Sequence, residues 1–415
     1  MKLMQKVAVI GAGISGLTVA HLLEDRYNVT VFEKEATPGG LIRCKRINGS
    51  LYHICGGHVF NSKRQDVLKW FWSLFDRNKE FVKADRNSVV FLQDGNVVEY
   101  PVENHAYQFK EKMLQSFIKD LVQMAQQGEV HPSNFEEFLK TRFGETLYNA
   151  YFQPYNEKIW DCDLKQIPLS WLKGKLPMPT IDEIIYNNIK KVEEKSFVHS
   201  SFWYEKSGGS QLIANRLAEG LDIIYNADIQ NITYILGKGW TVGGKRFDKV
   251  VFCGNLKELP KMLEGVDMGN AVDFISTLAY HGTTTCFCEI APNPYSWCYL
   301  PSREYKSHRI ICTGNFSSSN NAPGASTGTI EFTDNIFEDE IKQNLSLMPL
   351  HPKYITSHFS KFTYPIQNVN TRENIHCLKE KLKPFGFYFT GRFADWEYYN
   401  MDAAIGAAMD LCEKI

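Results

Sequence analysis

A glycine-rich turn near the start of the chain constrains its fold more than any other segment. Residues 7–10 are a short apolar run, residues 11–16 read G-A-G-I-S-G, and the residues after them carry apolar side chains at helical spacing. A second apolar run covers residues 28–32. This order predicts a strand, a tight turn, a helix and a second strand, which is the unit that binds the diphosphate of a dinucleotide.

Each part of such a unit has a physical task in this chain. Gly11 permits the tight turn, Gly13 lets the backbone approach a diphosphate, and Gly16 lets the helix pack closely on the strand. The helix N-terminus offers free N–H groups and a positive dipole to phosphate. Glu33 follows the second strand and favours a free ribose 2′-hydroxyl, hence FAD or NAD over NADP. The alternative is a glycine-rich turn in some other α/β protein.

The next segment favours FAD over NAD. Residues 34–43 read K-E-A-T-P-G-G-L-I-R, and a glycine pair followed by an arginine resembles the second motif of the amine-oxidase-like FAD family. Tightly held FAD is therefore the predicted cofactor. The candidate cofactor-binding residues of this region are Gly11, Gly13, Ile14, Ser15, Gly16, Glu33, Lys34, Gly39, Gly40, Leu41 and Arg43.

Composition narrows the function classes. The formal net charge is −1 over 415 residues, which predicts no nucleic-acid partner. No apolar run reaches transmembrane length, so no stable membrane insertion is expected, and the first apolar stretch is interpreted as a strand rather than a signal peptide. The ten cysteines show no C-x-x-C pair and no zinc spacing. Buried free thiols in a cytoplasmic protein, with no metal site, are the expectation.

The pattern along the chain predicts an α/β protein assembled discontinuously. We expect a Rossmann-type FAD-binding domain, a helical lobe, and a second, antiparallel β-sheet substrate domain of about six strands. The predicted boundaries place the FAD-binding domain in three parts, 1–78, 201–262 and 356–415. A sheet segment covers 79–104, the helical lobe 105–200, and the substrate-domain sheet 263–355.

Two further segments are predicted to touch the flavin. The Gly-Gly bend at 56–57, followed by His58, suggests backbone lying against a flat ring. Residues 387–390 read as a strand, a glycine follows, and a helix begins near 401, where its N-terminus could stabilise negative charge on a reduced flavin. An ordinary final strand and helix is the alternative. The residues assigned to the flavin here are Gly57, His58, Val59, Gly391, Arg392, Asn400, Met401 and Asp402.

Five segments together resemble the UDP-galactopyranose mutases, closest to the eukaryotic type, within the wider amine oxidase and protoporphyrinogen oxidase-like flavoproteins. They are G-G-H-V at 56–59, E-Y-P-V-E-N-H at 99–105, F-Q-P-Y-N-E-K-I-W at 152–160, the block from 297 to 317, and G-R-F-A-D-W-E-Y-Y-N-M-D at 391–402. The resemblance spans most of the chain.

The resemblance implies a reaction and roles for particular residues. In that family a reduced flavin bonds through N5 to the sugar of UDP-galactopyranose, and the ring recloses as the furanose. By the resemblance, Arg309 and Arg392 would hold the diphosphate, because a guanidinium suits phosphate. Tyr299 and Tyr398 would hydrogen-bond the diphosphate or the sugar, and His58 would orient the loop beside the flavin. The alternatives are an ion pair for each arginine and a core position for each tyrosine.

The sequence also departs from the family pattern. Lys175 stands where the family has an arginine that grips the substrate, so the charge is kept and the planar fork is lost. Ser62 replaces a second loop histidine, Glu103 replaces a glutamine, and Glu205 replaces a proline. Asn400 stands where bacterial members place an aspartate. These changes leave FAD binding intact and loosen the substrate assignment.

The leading functional hypothesis is an FAD-dependent UDP-sugar mutase, or a close relative acting on another nucleotide sugar, in surface polysaccharide synthesis. The substrate partner would be a small nucleotide sugar, with NAD(P)H a candidate reductant and homo-oligomerisation left open. Uridine recognition is expected near Trp160 and residues 145–190. The alternatives are an FAD-dependent oxidase or dehydrogenase of the amine oxidase type, and an FAD-binding scaffold without chemistry.

Overall fold

A computed structural model describes residues 4–127, 130–167, 169, 179–192 and 201–415. The candidate residue Lys175 lies outside these ranges. None of the helices within them combines the length and the apolar composition needed to cross a membrane.

The chain alternates helices with strands. In chain order the helices are α1 (Ile14–Leu23), α2 (Gln65–Leu74), α3 (Arg77–Glu80), α4 (Glu111–Gln126), α5 (Phe135–Leu147), α6 (Gln153–Trp160), α7 (Ile181–Lys190), α8 (Gln211–Ala218), α9 (Leu259–Met262), α10 (Ala271–Thr277), α11 (Glu338–Leu347), α12 (Thr371–Leu382) and α13 (Met401–Cys412). A π-helical turn, Tyr148–Phe152, joins α5 to α6.

The strands fall into five sheets. In chain order they are β1 (Lys6–Ile10), β2 (Asn28–Phe32), β3 (Cys44–Ile47), β4 (Ser50–His53), β5 (Phe81–Asp85), β6 (Ser88–Phe91), β7 (Val97–Glu99), β8 (Ser201–Glu205), β9 (Ile223–Ile224), β10 (Ile232–Ile235), β11 (Gly239–Val242), β12 (Lys245–Phe247), β13 (Lys249–Phe252), β14 (Leu263–Glu264), β15 (Ala279–Glu289), β16 (Trp297–Tyr299), β17 (Arg309–Ile311), β18 (Thr327–Thr333), β19 (Lys353–Ile366) and β20 (Phe387–Phe389).

The predicted Rossmann-type sheet is present and discontinuous in sequence. Its parallel strands run in the order β20-β13-β1-β2-β9. The chain leaves β1 toward β2 on one side and returns through β13 on the other, so a crevice opens at the carboxyl end of β1. Ligands of open α/β sheets bind in such a crevice. Strands β1, β2 and β13 are buried at every residue but the first, as expected for a parallel sheet that is covered on both faces.

The substrate-domain sheet has seven strands rather than about six, in the order β19-β15-β18-β17-β16-β6-β7. It is antiparallel except where β16 runs parallel to β6. The hairpin β6–β7, from the segment 79–104, therefore extends this sheet, whereas β5 pairs with β8. Strand β19 pairs with β15 along its length, so the predicted boundary at 355/356 falls inside a strand.

The helical lobe covers the end of the seven-stranded sheet. Asn134 caps α5 by accepting a hydrogen bond from the Glu137 N–H at 3.0 Å, as its position before Phe135 predicts. The lobe buries its aromatic stripe in one cluster with side chains of β16, β17 and the loop after β17. A separate cluster lies under α1 and α13. The two clusters adjoin at the loop after β4, where Val59 packs on the first and Phe60 belongs to the second, and the candidate site is built around this loop.

Candidate active site

The first part of the site is the turn between β1 and α1. Gly11 has φ of 102°, which only glycine adopts without strain. A Cβ on Gly16 would lie 1.9 Å from the Gly11 carbonyl oxygen, so glycine is required there. A Cβ on Gly13 would meet no atom within 4 Å. Gly16 is thus needed for internal packing, whereas Gly13 faces open space suited to a diphosphate.

Two helices present their N-termini to this crevice. The N-cap residues of α1 and α13, which are Gly13 and Asn400, make no side-chain hydrogen bond to the first N–H groups of their helices. A Cβ on Gly391 would lie 3.2 Å from the Ser15 hydroxyl oxygen, so β20 ends against the first turn of α1. The uncapped N–H groups are suited to anionic parts of a dinucleotide. Ile14, Met401 and Asp402 flank these two first turns.

Glu33 lies at the carboxyl end of β2, beside the glycine turn. Its buried carboxylate accepts the Ala12 N–H at 2.6 Å and the Glu35 N–H at 2.9 Å. Each oxygen keeps acceptor capacity, because a carboxylate oxygen has two lone pairs. Lys34, predicted to help bind the cofactor, is exposed at the same strand end.

The second glycine pair packs against the first turn. Gly39 forms a bridge with Gly13, and its N–H donates to the Ala12 carbonyl at 2.8 Å. Arg43 donates through Nε to the Gly40 carbonyl at 3.1 Å and lies 3.3 Å from Glu35. Leu41 is half-buried beside them. The residues predicted from the two motifs therefore lie together at one edge of the sheet.

The loop that follows β4 carries His58 into the cleft. A Cβ on Gly57 would meet the Ile311 side chain at 2.6 Å, so the loop lies tightly against β17. His58 Nε2 is buried and has no hydrogen-bond partner among the described residues. Burial, helped by the positive charge of Arg392, lowers the pKa of His58 to about 4, which leaves a neutral ring. Val59 packs on the helical-lobe cluster.

Arg309 is engaged in a buried ion pair. Register places Arg309 of β17 opposite Glu331 of β18, and its Nε donates to the Glu331 carboxylate. His308 Nε2 lies 3.4 Å from the same carboxylate. Burial alone would raise the pKa of Glu331, but Arg309 and His308 hold it below its usual range. Much of the Arg309 charge is therefore neutralised.

A tyrosine pair links the two arginines. The Arg309 Nη2 donates to the Tyr364 hydroxyl at 2.9 Å. The ring of Tyr364 stacks on Tyr398 with centroids 5.4 Å apart and planes 10° apart. The Arg392 guanidinium lies 4.3 Å from the centroid of Tyr398, at a distance typical of a cation–π contact.

Arg392 retains unused charge and donors. Its Nη1 donates to the Thr363 carbonyl at 3.2 Å, and its Nε is buried without a hydrogen-bond partner. Across the described ranges, no carboxylate forms an ion pair with it. A buried guanidinium N–H without a partner is costly, so this group is suited to bind an anion.

Tyr299 of β16 lies opposite Arg309 of β17 in the strand register. Its hydroxyl accepts a hydrogen bond from Arg86, and its ring packs on Tyr100 and Tyr155 with centroid distances of 4.9 and 5.5 Å. Trp160, expected near the uridine site, packs at 6.2 Å from Tyr364. The helical lobe and the sheet thus form one tyrosine-rich wall.

The departures from the family pattern have distinct surroundings. Burial raises the pKa of Glu103 to about 7 and that of Glu205 to about 8. Near neutral pH Glu205 is mostly protonated, and Glu103 is about half protonated. Ser62 accepts the Arg64 N–H at 3.2 Å, which is a local turn contact. Glu103 can therefore present a carboxylic acid, similar in shape and hydrogen bonding to a glutamine.

Comparisons with known proteins agree with this geometry. Residues 9–77 match the family described as an NAD(P)-binding Rossmann-like domain. A crystal structure of reduced UDP-galactopyranose mutase superposes with a TM-score of 0.87 at 21% identity, covering 99% of this chain and 93% of that one. The chain has the fold of UDP-galactopyranose mutase.

Sequence relatives point in the same direction. The dTDP-fucopyranose mutase of Escherichia coli is 30% identical over 183 residues, which are 42% of this chain and 46% of the relative. A Klebsiella pneumoniae protein named "Probable UDP-galactopyranose mutase" is 28% identical over 181 residues, 42% of this chain and 45% of the relative. The alignment thus spans about half of each relative. The resemblance predicted from the motifs is confirmed by these matches.

The fold of UDP-galactopyranose mutase also brings in residues that sequence reasoning missed. Glu331 and Tyr364 contact Arg309, and Arg86 contacts Tyr299. Glu331 could have been noticed as a single carboxylate in the otherwise apolar and small-residue strand T-G-T-I-E-F-T. No local signal marks Tyr364 or Arg86, because their roles depend on strand register.

Proposed function

We propose that this chain is an FAD-dependent nucleotide-sugar mutase that contracts a pyranose to a furanose ring, of the UDP-galactopyranose to UDP-galactofuranose type. The observation that carries the proposal is the position of Arg309 and Arg392 on either side of the Tyr364–Tyr398 pair. Two guanidiniums that border one tyrosine pair would offer charged donors to a diphosphate. An amine oxidase would need an apolar cage there instead.

The cofactor assignment rests on the crevice at the carboxyl end of β1. The open face at Gly13, the carboxylate of Glu33 and the uncapped first turns of α1 and α13 fit the diphosphate, ribose and ring of FAD. Bound and reduced, the flavin would supply a nucleophile for the anomeric carbon of the sugar.

The remaining chemistry belongs to side chains of this chain. Arg392 would bind the diphosphate through its guanidinium, which has no carboxylate partner among the described residues, and Arg309 would add a donor fixed in place by Glu331. Tyr299 and Tyr398 would orient the sugar through their hydroxyls. His58, held neutral, would place the loop 56–59 beside the cofactor without adding charge.

The wider assignment extends the same proposal. The product would be a sugar donor for surface polysaccharide synthesis. We place the protein in the cytoplasm, because its ten cysteines are free thiols, as expected in a reducing compartment. NAD(P)H is the proposed reductant of the flavin. A homo-oligomer is the remaining proposed interaction of the chain. Because one relative is named for dTDP-fucopyranose, a deoxysugar attached to thymidine diphosphate is included among the candidate substrates.

An anaerobic assay tests the proposal. The purified protein, loaded with FAD and reduced with dithionite, is incubated with UDP-galactopyranose or with dTDP-fucopyranose, and the products are separated by chromatography. A new isomer that forms only with reduced protein supports the mutase. Failure to form any isomer, with consumption of an amine in the presence of oxygen, would replace it with an oxidase.

A pair of arginine variants tests the proposed role of Arg392 in binding the diphosphate. Arg392→Ala is expected to lower turnover at least about a hundredfold, since it removes a charged donor to the diphosphate. Arg26→Ala is the matched control, because Arg26 is exposed and donates to the Cys412 carbonyl at 2.8 Å, at the C-terminal end of α13. Equal effects of both variants would contradict the assigned role of Arg392.

A further inference from the structure

The ammonium of Lys158, near the end of α6, is held by main-chain oxygens rather than by an acid. Its Nζ donates to the carbonyls of Leu300 at 2.8 Å and Ser307 at 2.9 Å, and also to that of Ser302. An ammonium has three donors, so all of them are used. Among the described residues, no carboxylate forms an ion pair with Lys158.

These carbonyls belong to the loop 300–308 between β16 and β17. Register pairs Tyr299 with Arg309 at the base of this loop, and the Leu300 N–H donates to the His308 carbonyl at 2.9 Å. Lys158 therefore closes the loop directly beyond the Tyr299–Arg309 pair.

The other side of the contact is helix α6. Tyr155, one turn before Lys158, lies at centroid distances of 5.5 Å from Tyr299 and 6.3 Å from His308. The backbone of α6 is also anchored to the sheet, since Thr333 Oγ1 donates to the Lys158 carbonyl at 2.5 Å. The side chain of Lys158 thus holds the loop, while its carbonyl is held by β18.

We propose that Lys158 is a positioning residue that joins α6 to the loop 300–308 and so fixes the helical lobe against the sheet within the tyrosine-rich wall of the nucleotide-sugar site. This inference rests on the proposed function. It assigns to Lys158 the placement of Tyr299 and Arg309 relative to Tyr155, without any contact to the substrate.

The burial of the Lys158 ammonium argues that its contacts with the loop 300–308 have a structural role. Burial, with a smaller effect from Arg303, lowers the pKa of Lys158 to about 7. A buried cation without an acidic partner costs stability, and an apolar side chain of similar length could fill the same volume. The three carbonyl contacts are what the charged group adds over such a side chain.

The test measures UDP binding to the FAD-loaded protein by calorimetry, together with hydrogen exchange of the loop 300–308. Lys158→Met is expected to weaken UDP binding about tenfold and to speed exchange of these amides, because three hydrogen bonds from a charged donor are lost. Cofactor content and the flavin absorption spectrum should not change. Lys158→Arg keeps a charged donor and should restore most of the affinity.

Lys306→Met is the matched control, since Lys306 lies in the same loop but is exposed and pairs with Glu340. It should bind UDP as the unmodified protein does. If Lys158→Met does not yield folded protein, Lys158→Gln supplies the same comparison with a neutral donor.

The outcomes separate the two proposals. If the unmodified protein binds neither UDP nor dTDP, the proposed function fails, and the exchange data still report whether Lys158 holds the loop. If it binds UDP and Lys158→Met binds equally well, or if the variant loses FAD in parallel, the positioning role is wrong. Failure of Lys158→Arg to recover affinity would also count against it.

Discussion

The two halves of the cleft are built in different ways. The cofactor half is made of main chain, with glycines and helix N-termini at the carboxyl ends of β1, β13 and β20. The proposed substrate half is made of side chains from the seven-stranded sheet and the helical lobe, such as Arg309, Tyr364 and Tyr155. A main-chain site depends on local sequence, whereas a side-chain site depends on how distant segments pack.

The halves also differ in charge. On the cofactor side, Glu33 is bound by backbone N–H groups alone. On the proposed substrate side, Arg309 and Glu331 form a buried pair, and Arg392 has no carboxylate partner among the described residues. We therefore expect substitutions in the first half to act through the fold and cofactor content. Substitutions in the second half should act through nucleotide affinity.

The largest effect is expected in the glycine turn. Gly16→Ala should destabilise the protein by at least about 3 kcal/mol and abolish FAD binding, because the new Cβ meets a carbonyl oxygen. Gly13→Ala is the matched control, since its Cβ meets no protein atom. It should fold and lose FAD only. Denaturant unfolding and FAD content are measured for both variants. A stable, FAD-loaded Gly16→Ala protein would contradict the packing role of Gly16.

The buried ion pair gives the next largest effect. Glu331→Gln should cost about 3 kcal/mol near neutral pH, because Arg309 loses its buried partner. The pKa of Glu331 is depressed in the fold, so its stabilisation is present above the ordinary carboxyl pKa of about 4.3 and is lost as pH falls below it. Urea unfolding should therefore show the variant's deficit shrinking in acid. If Glu331→Gln lowers the free energy of unfolding equally near neutral pH and in acid, the expected pH dependence is wrong.

A hydroxyl on the substrate side should matter less for stability and more for binding. Tyr364→Phe removes the hydrogen bond to Arg309 but keeps the stack on Tyr398. We expect about tenfold weaker binding of UDP and unchanged FAD content. Tyr354→Phe, whose hydroxyl bonds Glu338 outside the cleft, should bind UDP normally. Loss of FAD from Tyr364→Phe would break the division between the halves.

The smallest effect should come from Glu103. Because its pKa is raised to about 7, the carboxylate forms as pH rises from about 6 to about 8 and repels the diphosphate, so UDP affinity should fall about threefold. Glu103→Gln should remove this fall. Glu205→Gln is the control, since Glu205 is equally buried but lies beside Cys44 and Tyr204 rather than in the tyrosine wall. An unchanged pH profile in Glu103→Gln would contradict the assignment.

The contrast explains what the sequence could predict. The glycine turns, Glu33 and the order of β1, α1 and β2 are encoded by neighbouring residues, and each appears at its expected place. The fold class is confirmed by the superposition on UDP-galactopyranose mutase. The roles of the individual site residues remain predictions.

Other features depend on tertiary packing. Arg309 and Glu331 are far apart in sequence and meet only through the register of β17 and β18. The sequence did not show that β19 continues across the predicted boundary at 355/356. This edge strand is half-exposed along most of its length, so it lacks a clear apolar alternation, and its pairing with β15 shifts register twice. The sheet has seven strands rather than about six because the hairpin β6–β7 joins it. Strand β6 pairs with β16, which lies about two hundred residues later in the chain.

The most direct test measures UDP affinity and FAD content together in Arg392→Gln. The account predicts that UDP binding weakens at least about tenfold, because the unpaired charged donor is lost, while FAD content and the flavin spectrum stay unchanged. Parallel loss of FAD, or UDP affinity equal to that of the unmodified protein, would contradict a diphosphate site built on the substrate side of the cleft.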